Sequence, residues 1–254
     1  MSYQTISFTK EGGIGFITLN RPDKLNAINE EMTKELIEVS EELKKEKEVK
    51  VVILTGKGRA FCAGADLNSA IFDIVDPIEV RESIMNFGRF VFNLRGLPKP
   101  TIAGVNGVAI GAGLSLALAC DIIIASEKAR FGYGFTSIGS PGDTGITYLL
   151  PLVVGPAKAL EIAFTGRIID ATEAERISMV NKVVPPERLD TEVKEMASSI
   201  VKMPPLAIGL VKRSIYEVYR TDLLSAMEWE ARATTLCLLG ENKKEGVKDF
   251  REKK

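Results

Sequence analysis

Apolar and polar positions follow different rhythms along this 254-residue chain, and each rhythm predicts an element. Residues 3–8 and 14–19 are β-type runs around Glu11-Gly12-Gly13, the pattern of a hairpin. Asn29 then opens a helical stripe reaching about Lys45, with Met32, Leu36, Val39 and Leu43 recurring on one face. Residues 51–55 form an unbroken apolar run, as expected of a strand buried on both faces. A glycine-rich loop follows over residues 56–67. A second helix begins near Pro77 and ends before Pro98 and Pro100. Residues 101–126 repeat the scheme: strand 101–105, glycine-rich loop 106–113, apolar helix 114–119, strand 121–126. This repetition indicates an α/β layer with parallel strands. From Pro186 onward the pattern is almost wholly helical, over roughly 186–202, 205–220, 223–239 and 241–251. The chain therefore divides into an α/β core, residues 1–185, and a helical C-terminal subdomain, residues 186–254, which can pack on a neighbouring subunit.

Composition narrows the chemistry. Lys and Arg number 33 against 34 Asp and Glu, a net charge of -1, so no global basic field gathers nucleic acid or anionic lipid. The chain has no histidine. That removes Ser-His-Asp and Cys-His catalysis and every histidine-containing metal site. Proton chemistry is left to carboxylates, Lys, Tyr, Cys or backbone dipoles. Cys62, Cys120 and Cys237 lie far apart without a C-x-x-C pair, and the last two sit in apolar helical patterns as inert core residues. No stretch approaches the ~18 apolar residues of a membrane helix, and the first ten residues lack the apolar run of a signal peptide. A cytoplasmic protein without membrane contact is expected.

The glycine loops do not fit a phosphate-binding pattern. After Gly56 and Gly58 the place of the third glycine holds Phe61, after Gly111 and Gly113 it holds Leu116, and no G-x-x-x-x-G-K-[ST] occurs. Single glycines usually make turns. Two such loops between buried strands and helices suggest more: small residues admit a ligand to the backbone, and free N–H groups at helix starts attract negative charge. Two peptide N–H groups aimed at one carbonyl oxygen make an oxyanion hole, often the largest catalytic contribution available.

Residues 61–67, Phe-Cys-Ala-Gly-Ala-Asp-Leu, resemble the F-x-A-G-A-D-[LI] signature of the crotonase superfamily, the enoyl-CoA hydratases and isomerases. Supporting similarity lies in residues 20–27 (NRPDKLNA), 100–107 (PTIAGVNG), 119–122 (ACDI), 129–132 (ARFG) and 244–246 (KEG), in the family's order. The resemblance implies a spiral of ββα turns with a helical trimerisation region, assembled as a homotrimer or a dimer of trimers. It implies an acyl-CoA thioester substrate, an enolate intermediate, and no cofactor beyond the coenzyme A of the substrate. By position, the oxyanion donors are the N–H groups of Ala65 and Ala112. The backbone of Ala63, Gly64, Ala65 and Asp66 matches the segment receiving the adenine, and Leu25 and Ala27 match the coenzyme A channel. Arg59 matches a basic position near the phosphates, and Lys253 a tail lysine offered by a neighbouring subunit; either also reads as a solvated surface charge. Asp66 reads as a turn-shaping carboxylate rather than an acid.

The resemblance leaves the reaction open. The two positions where hydratases of the family carry glutamate hold Ser115 and Phe135 here. Hydration needs one group to activate water and another to deliver a proton, and neither residue supplies this. Asp143, in Gly139-Ser-Pro-Gly-Asp-Thr-Gly145, resembles the catalytic carboxylate of several isomerase and dehalogenase subfamilies. It also reads as the N-cap of the helix reaching Leu150. Phe131, Tyr133, Phe135, Ile138 and Ile146 offer it an apolar wall, and Asp73 and Asp76 read as exposed residues, either of which could swing in as a second acid. The leading expectation is an isomerase that shifts a double bond through Asp143. Alternatives are a hydratase, an acyl-CoA hydrolase or decarboxylase, or a non-catalytic coenzyme A or RNA binder. The last is disfavoured by the absence of a basic, aromatic-interleaved stretch.

Overall fold

The computed structural model describes residues 3–239. Its first element is the expected hairpin, with β1 (Ile6–Glu11) antiparallel to β2 (Ile14–Leu19) across the Gly12-Gly13 turn. Helix α1 (Glu30–Lys45) begins where its cap predicts. The Asn29 side chain accepts the Met32 N–H at 3.0 Å and satisfies one orphan donor of the first turn. The remaining strands are β3 (Val51–Gly56), β4 (Ala60–Cys62), β5 (Thr101–Val105), β6 (Val108–Ile110), β7 (Ile122–Ser126), β8 (Arg130–Gly132), β9 (Ile169–Asp170) and β10 (Lys182–Val184). The helices after α1 are α2 (Pro77–Phe87), α3 (Arg89–Gly96), α4 (Ala112–Ala119), α5 (Ile146–Val154), α6 (Pro156–Thr165), α7 (Ala171–Arg176), α8 (Leu189–Val201), α9 (Pro205–Glu217) and α10 (Leu223–Leu239).

The strands form two sheets, ordered β1-β2-β3-β5-β7-β10 and β4-β6-β8-β9. Three times the chain passes through the large sheet, then the small sheet, then helix: β3-β4-α2, β5-β6-α4 and β7-β8-α5. That is a spiral of ββα turns with helices completing the C-terminal end. From β2 to β10 the large sheet is parallel, and both faces of its centre are covered. In β3, Val52 and Leu54 face the larger core with Met32 and Leu36 of α1, while Val51 and Ile53 face a second core with Val193 and Ala197 of α8. This explains the unbroken apolar run.

Three expectations need adjusting. The helix expected from Pro77 toward Pro98 is two helices, separated at Gly88. The loop expected over 106–113 contains β6. The helical region expected from 186 starts with α8, whose apolar face lies on the sheet and so closes the second core. Helix α9 is attached differently, through a polar cluster. Lys212 Nζ lies 2.9 Å from Asp121 Oδ2 and donates to the Lys99 carbonyl at 3.0 Å, while the Tyr216 hydroxyl donates to Asp121 Oδ1. Cys120 is buried as expected, whereas Cys237 is only half-buried on α10. Among the described residues, no helix is long and apolar enough to cross a membrane. The expected helix over 241–251, the 244–246 motif and Lys253 lie outside the described residues.

Candidate active site

In the small sheet β4, β6 and β8 run parallel and side by side, pairing Ala60 with Val108 and Ile110 with Gly132. Their carboxyl ends therefore point the same way, and the segments that leave them emerge together. These are residues 63–67, the start of α4, and the loop from Tyr133 to Gly145. Ligand sites in parallel sheets collect at such ends for this reason.

The first two segments interlock through absent side chains. Gly64 has φ of 100°, and a Cβ there would lie 2.9 Å from the Ile110 carbonyl oxygen and 3.7 Å from the Ala112 nitrogen. A Cβ on Gly113 would lie 2.1 Å from the Cys62 carbonyl oxygen, closer than any carbon can approach. Only glycine lets the two backbones come this close.

Residues 25–28 flank the first segment. The Ala63 N–H donates to the Leu25 carbonyl at 3.0 Å, Ile28 N–H to the Gly64 carbonyl at 2.8 Å, and Asp66 N–H to the Ile28 carbonyl at 2.8 Å. In this parallel bridge Ile28 takes both bonds, so the N–H of Ala65 opposite it is not used. The Ala112 N–H starts α4 and has no carbonyl one turn back. Among the described residues neither N–H donates to a protein acceptor. Ala112 is buried and Ala65 partly so.

Leu25, Ala27, Ala63, Gly64, Ala65 and Asp66 are thus brought together, and Arg21 clamps them. Its guanidinium donates to the Ala27 carbonyl at 2.5 Å and to Asp66 Oδ2 at 2.9 Å. The Arg21 bond holds the Asp66 carboxyl below its ordinary value, helped by the Asn68 N–H against the opposing effect of burial. An anion so engaged shapes the loop and is a poor proton donor. Arg59 stands exposed on the neighbouring turn, and no described carboxylate pairs with it.

The third segment carries Asp143. Its carboxyl lies inside the site end of the spiral, with Oδ1 buried and without a hydrogen-bond partner. Burial pushes its pKa above the ordinary value, and the Thr144 hydroxyl opposes this. The N-cap expectation is not met: α5 is capped by Gly145, at φ of 79°, with no side-chain bond. The lowering influence of a helix start is therefore not delivered through a capping bond. Of the residues expected to wall it, Phe131, Tyr133, Phe135 and Ile146 are buried, whereas Ile138 is half-exposed. Tyr133 and Phe135 meet edge to face with centroids 5.6 Å apart, and the Phe135 ring approaches Gly111. Burial, and after it the Asp143 charge, raises the Tyr133 pKa, and the Tyr133 hydroxyl donates to the Pro141 carbonyl at 2.7 Å. Asp73 and Asp76 are both exposed, and Asp76 caps α2 by accepting the Ile78 and Glu79 N–H groups. Among the described residues no group of three Cys, Asp or Glu side chains could hold a metal ion.

Sequence reasoning missed Arg21 and Thr144. Arg21 lies in the 20–27 motif, but its pairing with Asp66 gave no signal, because an Arg–carboxylate pair 45 positions apart leaves no local trace. Thr144 gave a weak one: glycines at 142 and 145 mark an irregular loop, not a helix start.

Two loops with uncommitted backbone N–H groups and a third with a buried carboxyl oxygen thus leave the same end of the small sheet, and paired N–H groups of this kind can hold a carbonyl oxygen as it becomes an anion. Comparison with known proteins agrees. The enoyl-CoA hydratase/isomerase family model matches residues 9–254, and the chain belongs to that family. The crotonyl-CoA hydratase of Syntrophomonas wolfei is 38% identical over 256 residues, covering 100% of this chain and 97% of that one. The 1,2-epoxyphenylacetyl-CoA isomerase of Escherichia coli is 36% identical over 246 residues, covering 96% and 94%. The solved enoyl-CoA hydratase from Bacillus anthracis superposes with a TM-score of 0.93 at 34% identity, covering 99% of this chain and 97% of that one.

Proposed function

We propose that this chain is an enoyl-CoA isomerase that moves a double bond by one position, with Asp143 as its single acid/base. The observation that carries the reading is the buried, unpartnered Asp143 oxygen at the site end of the spiral, with Ser115 and Phe135 where hydratases of the family have glutamates. The Ala65 and Ala112 N–H groups receive the thioester oxygen. Asp143 takes a proton from the α-carbon of a 3-enoyl-CoA, the electron pair spreads into an enolate, and the same proton returns at the γ-carbon. The double bond passes from C3–C4 to C2–C3 and no water is consumed. A thioester α-proton is far too weakly acidic for an ordinary carboxylate. The reaction needs both oxyanion donors and a carboxyl whose pKa burial has raised toward the working pH. The buried Tyr133 and Phe135 support the reading by keeping water from the carboxyl.

In this reading coenzyme A arrives with the substrate and no other cofactor is used. Leu25, Ala27 and the Ala63–Asp66 backbone line its path, and Arg59 meets its phosphates. A homotrimer or a dimer of trimers is part of the proposal. Its support is the apolar surface that α9 and α10 leave exposed, including Val211, Ile215, Leu223, Leu224 and Leu236. Light scattering that reports single chains at micromolar concentration refutes this part. The second reading is a hydratase, favoured by the name of the Syntrophomonas relative. Separate incubation with 3-hexenoyl-CoA and crotonyl-CoA decides: isomerisation of the first without hydration of the second is expected, and the reverse overturns the proposal.

A further inference from the structure

Thr144 is held in a backbone conformation that its side chain disfavours. Its φ is 51°, in the left-handed region, where a β-branched residue is a genuine outlier. Such strain persists only where the surroundings over-determine it, and it clusters at functional sites. Here the surroundings are specific. The Thr144 hydroxyl lies 2.8 Å from Ser115 Oγ and 2.8 Å from the Asp143 carbonyl oxygen. Ser115 is fully buried in α4, and its own hydroxyl points back to the Gly111 carbonyl at 3.4 Å. Behind Thr144 stands Gly88, where a Cβ would lie 3.5 Å from the Thr144 Cα. On the other flank the Tyr133 hydroxyl holds the Pro141 carbonyl at 2.7 Å.

We infer that Ser115 and Thr144 form a hydroxyl latch that positions Asp143 against the oxyanion loop; the inference rests on the reading of Asp143 as the acid/base. The Asp143 Oδ1 has no hydrogen-bond partner and the Thr144 hydroxyl acts on the carboxyl, so the aim of the carboxyl is set by Thr144 and the backbone beside it. Thr144 fixes that backbone. Through Ser115 it ties the loop to Gly111, the residue before the Ala112 donor. The chain Thr144–Ser115–Gly111 thereby sets the distance between the group that moves the proton and the group that holds the oxygen. Misplacing a catalytic group by about 1 Å can cost on the order of 100-fold in rate. Ser115 thus acts in this chain as a positioning residue, at a place where related hydratases carry a reacting carboxylate.

The test uses the full chain with 3-hexenoyl-CoA and the variants S115A, T144V, T144S and D143N. Loss of either hydroxyl is expected to lower kcat roughly 10- to 100-fold with KM little changed, because aim is lost and binding is not. T144S keeps the hydroxyl and is expected to retain most of the parent kcat. In T144V the acidic limb of the kcat profile should move to higher pH, since the hydroxyl that opposes the raised Asp143 pKa is gone. S115A removes a single oxygen and carries the test if T144V does not fold. Parental kcat in folded S115A and T144V, with D143N inactive, refutes the latch and leaves the role of Asp143 standing. Parental activity in D143N refutes the role of Asp143 and the latch with it.

Discussion

The two ends of the candidate site are built on opposite principles. The proposed oxyanion end is made of backbone: two N–H groups set by strand pairing and by glycines whose missing Cβ atoms let the loops interlock. The proposed acid/base end is made of one side chain on an irregular loop, held by two hydroxyls and a left-handed threonine. A backbone site tolerates most changes of side chain and fails when the backbone itself is altered. A side-chain site fails with one functional group, and its aim depends on contacts that sequence spacing does not display.

The sharpest way to break this contrast is at Asp143. Asp143→Asn keeps the shape and removes the base, so isomerase turnover should fall roughly 10²–10⁴-fold, the usual worth of general acid–base catalysis. Stopped assays with 3-hexenoyl-CoA measure it, and turnover equal to the parent returns Asp143 to a structural role.

The backbone end is tested by deleting a donor. Ala65→Pro removes the N–H and restricts Gly64, and should lower turnover on the order of a hundredfold or more. A change from Ala65 to Ser, which keeps the N–H, should cost far less. Equal losses in the two variants would mean that the side chain and not the donor matters.

A smaller effect probes the interlock itself. Gly113→Ala gains intrinsic helix preference of about 1 kcal/mol. It also drives a methyl to 2.1 Å from the Cys62 carbonyl oxygen, a backbone atom that cannot swing away. Overpacking of this kind costs about 1–3 kcal/mol and wins. Urea unfolding should show a lower midpoint with an unchanged slope; a higher midpoint would show that the loops can part without cost.

The smallest expected effect is on stability against pH. The folded Asp143 pKa is raised by burial, so the fold is favoured below the unfolded value and loses that advantage as pH rises through the folded one. Charged Asp143 then weighs against the fold at neutral pH. Asp143→Asn should melt above the parent at pH 7, by about 2–4 °C for each kcal/mol relieved, and the gap should close toward acid. A gap that is constant with pH in calorimetry would mean that the carboxyl is not desolvated. Loss of turnover with gain in stability is the trade expected where a charge is buried for function.

Much of this molecule was legible in its residues because the signals are local. The hairpin turn at Gly12-Gly13, the Asn29 cap with its stripe of Met32, Leu36, Val39 and Leu43, and the apolar strand 51–55 each depend on neighbours within a few positions. The motif at 61–67 pointed to the family to which the chain belongs. Periodicity also pointed to helices after 186, yet could not say that α8 seals the sheet while α9 hangs on the Lys212–Asp121 cluster.

What the tertiary structure alone decided is long-range. Arg21 meets Asp66 across 45 positions, Ser115 meets Thr144 across 29, and Gly88 interrupts a helix to stand against the same threonine. The sequence by itself determined which elements form and that Asp143 is a carboxylate without charged neighbours nearby in the chain. Only the fold decided that this carboxylate caps no helix and that its Oδ1 is buried without a hydrogen-bond partner. The physical reason is that turn and helix propensities act over a few residues, whereas burial and hydrogen-bond completion depend on everything the chain brings alongside.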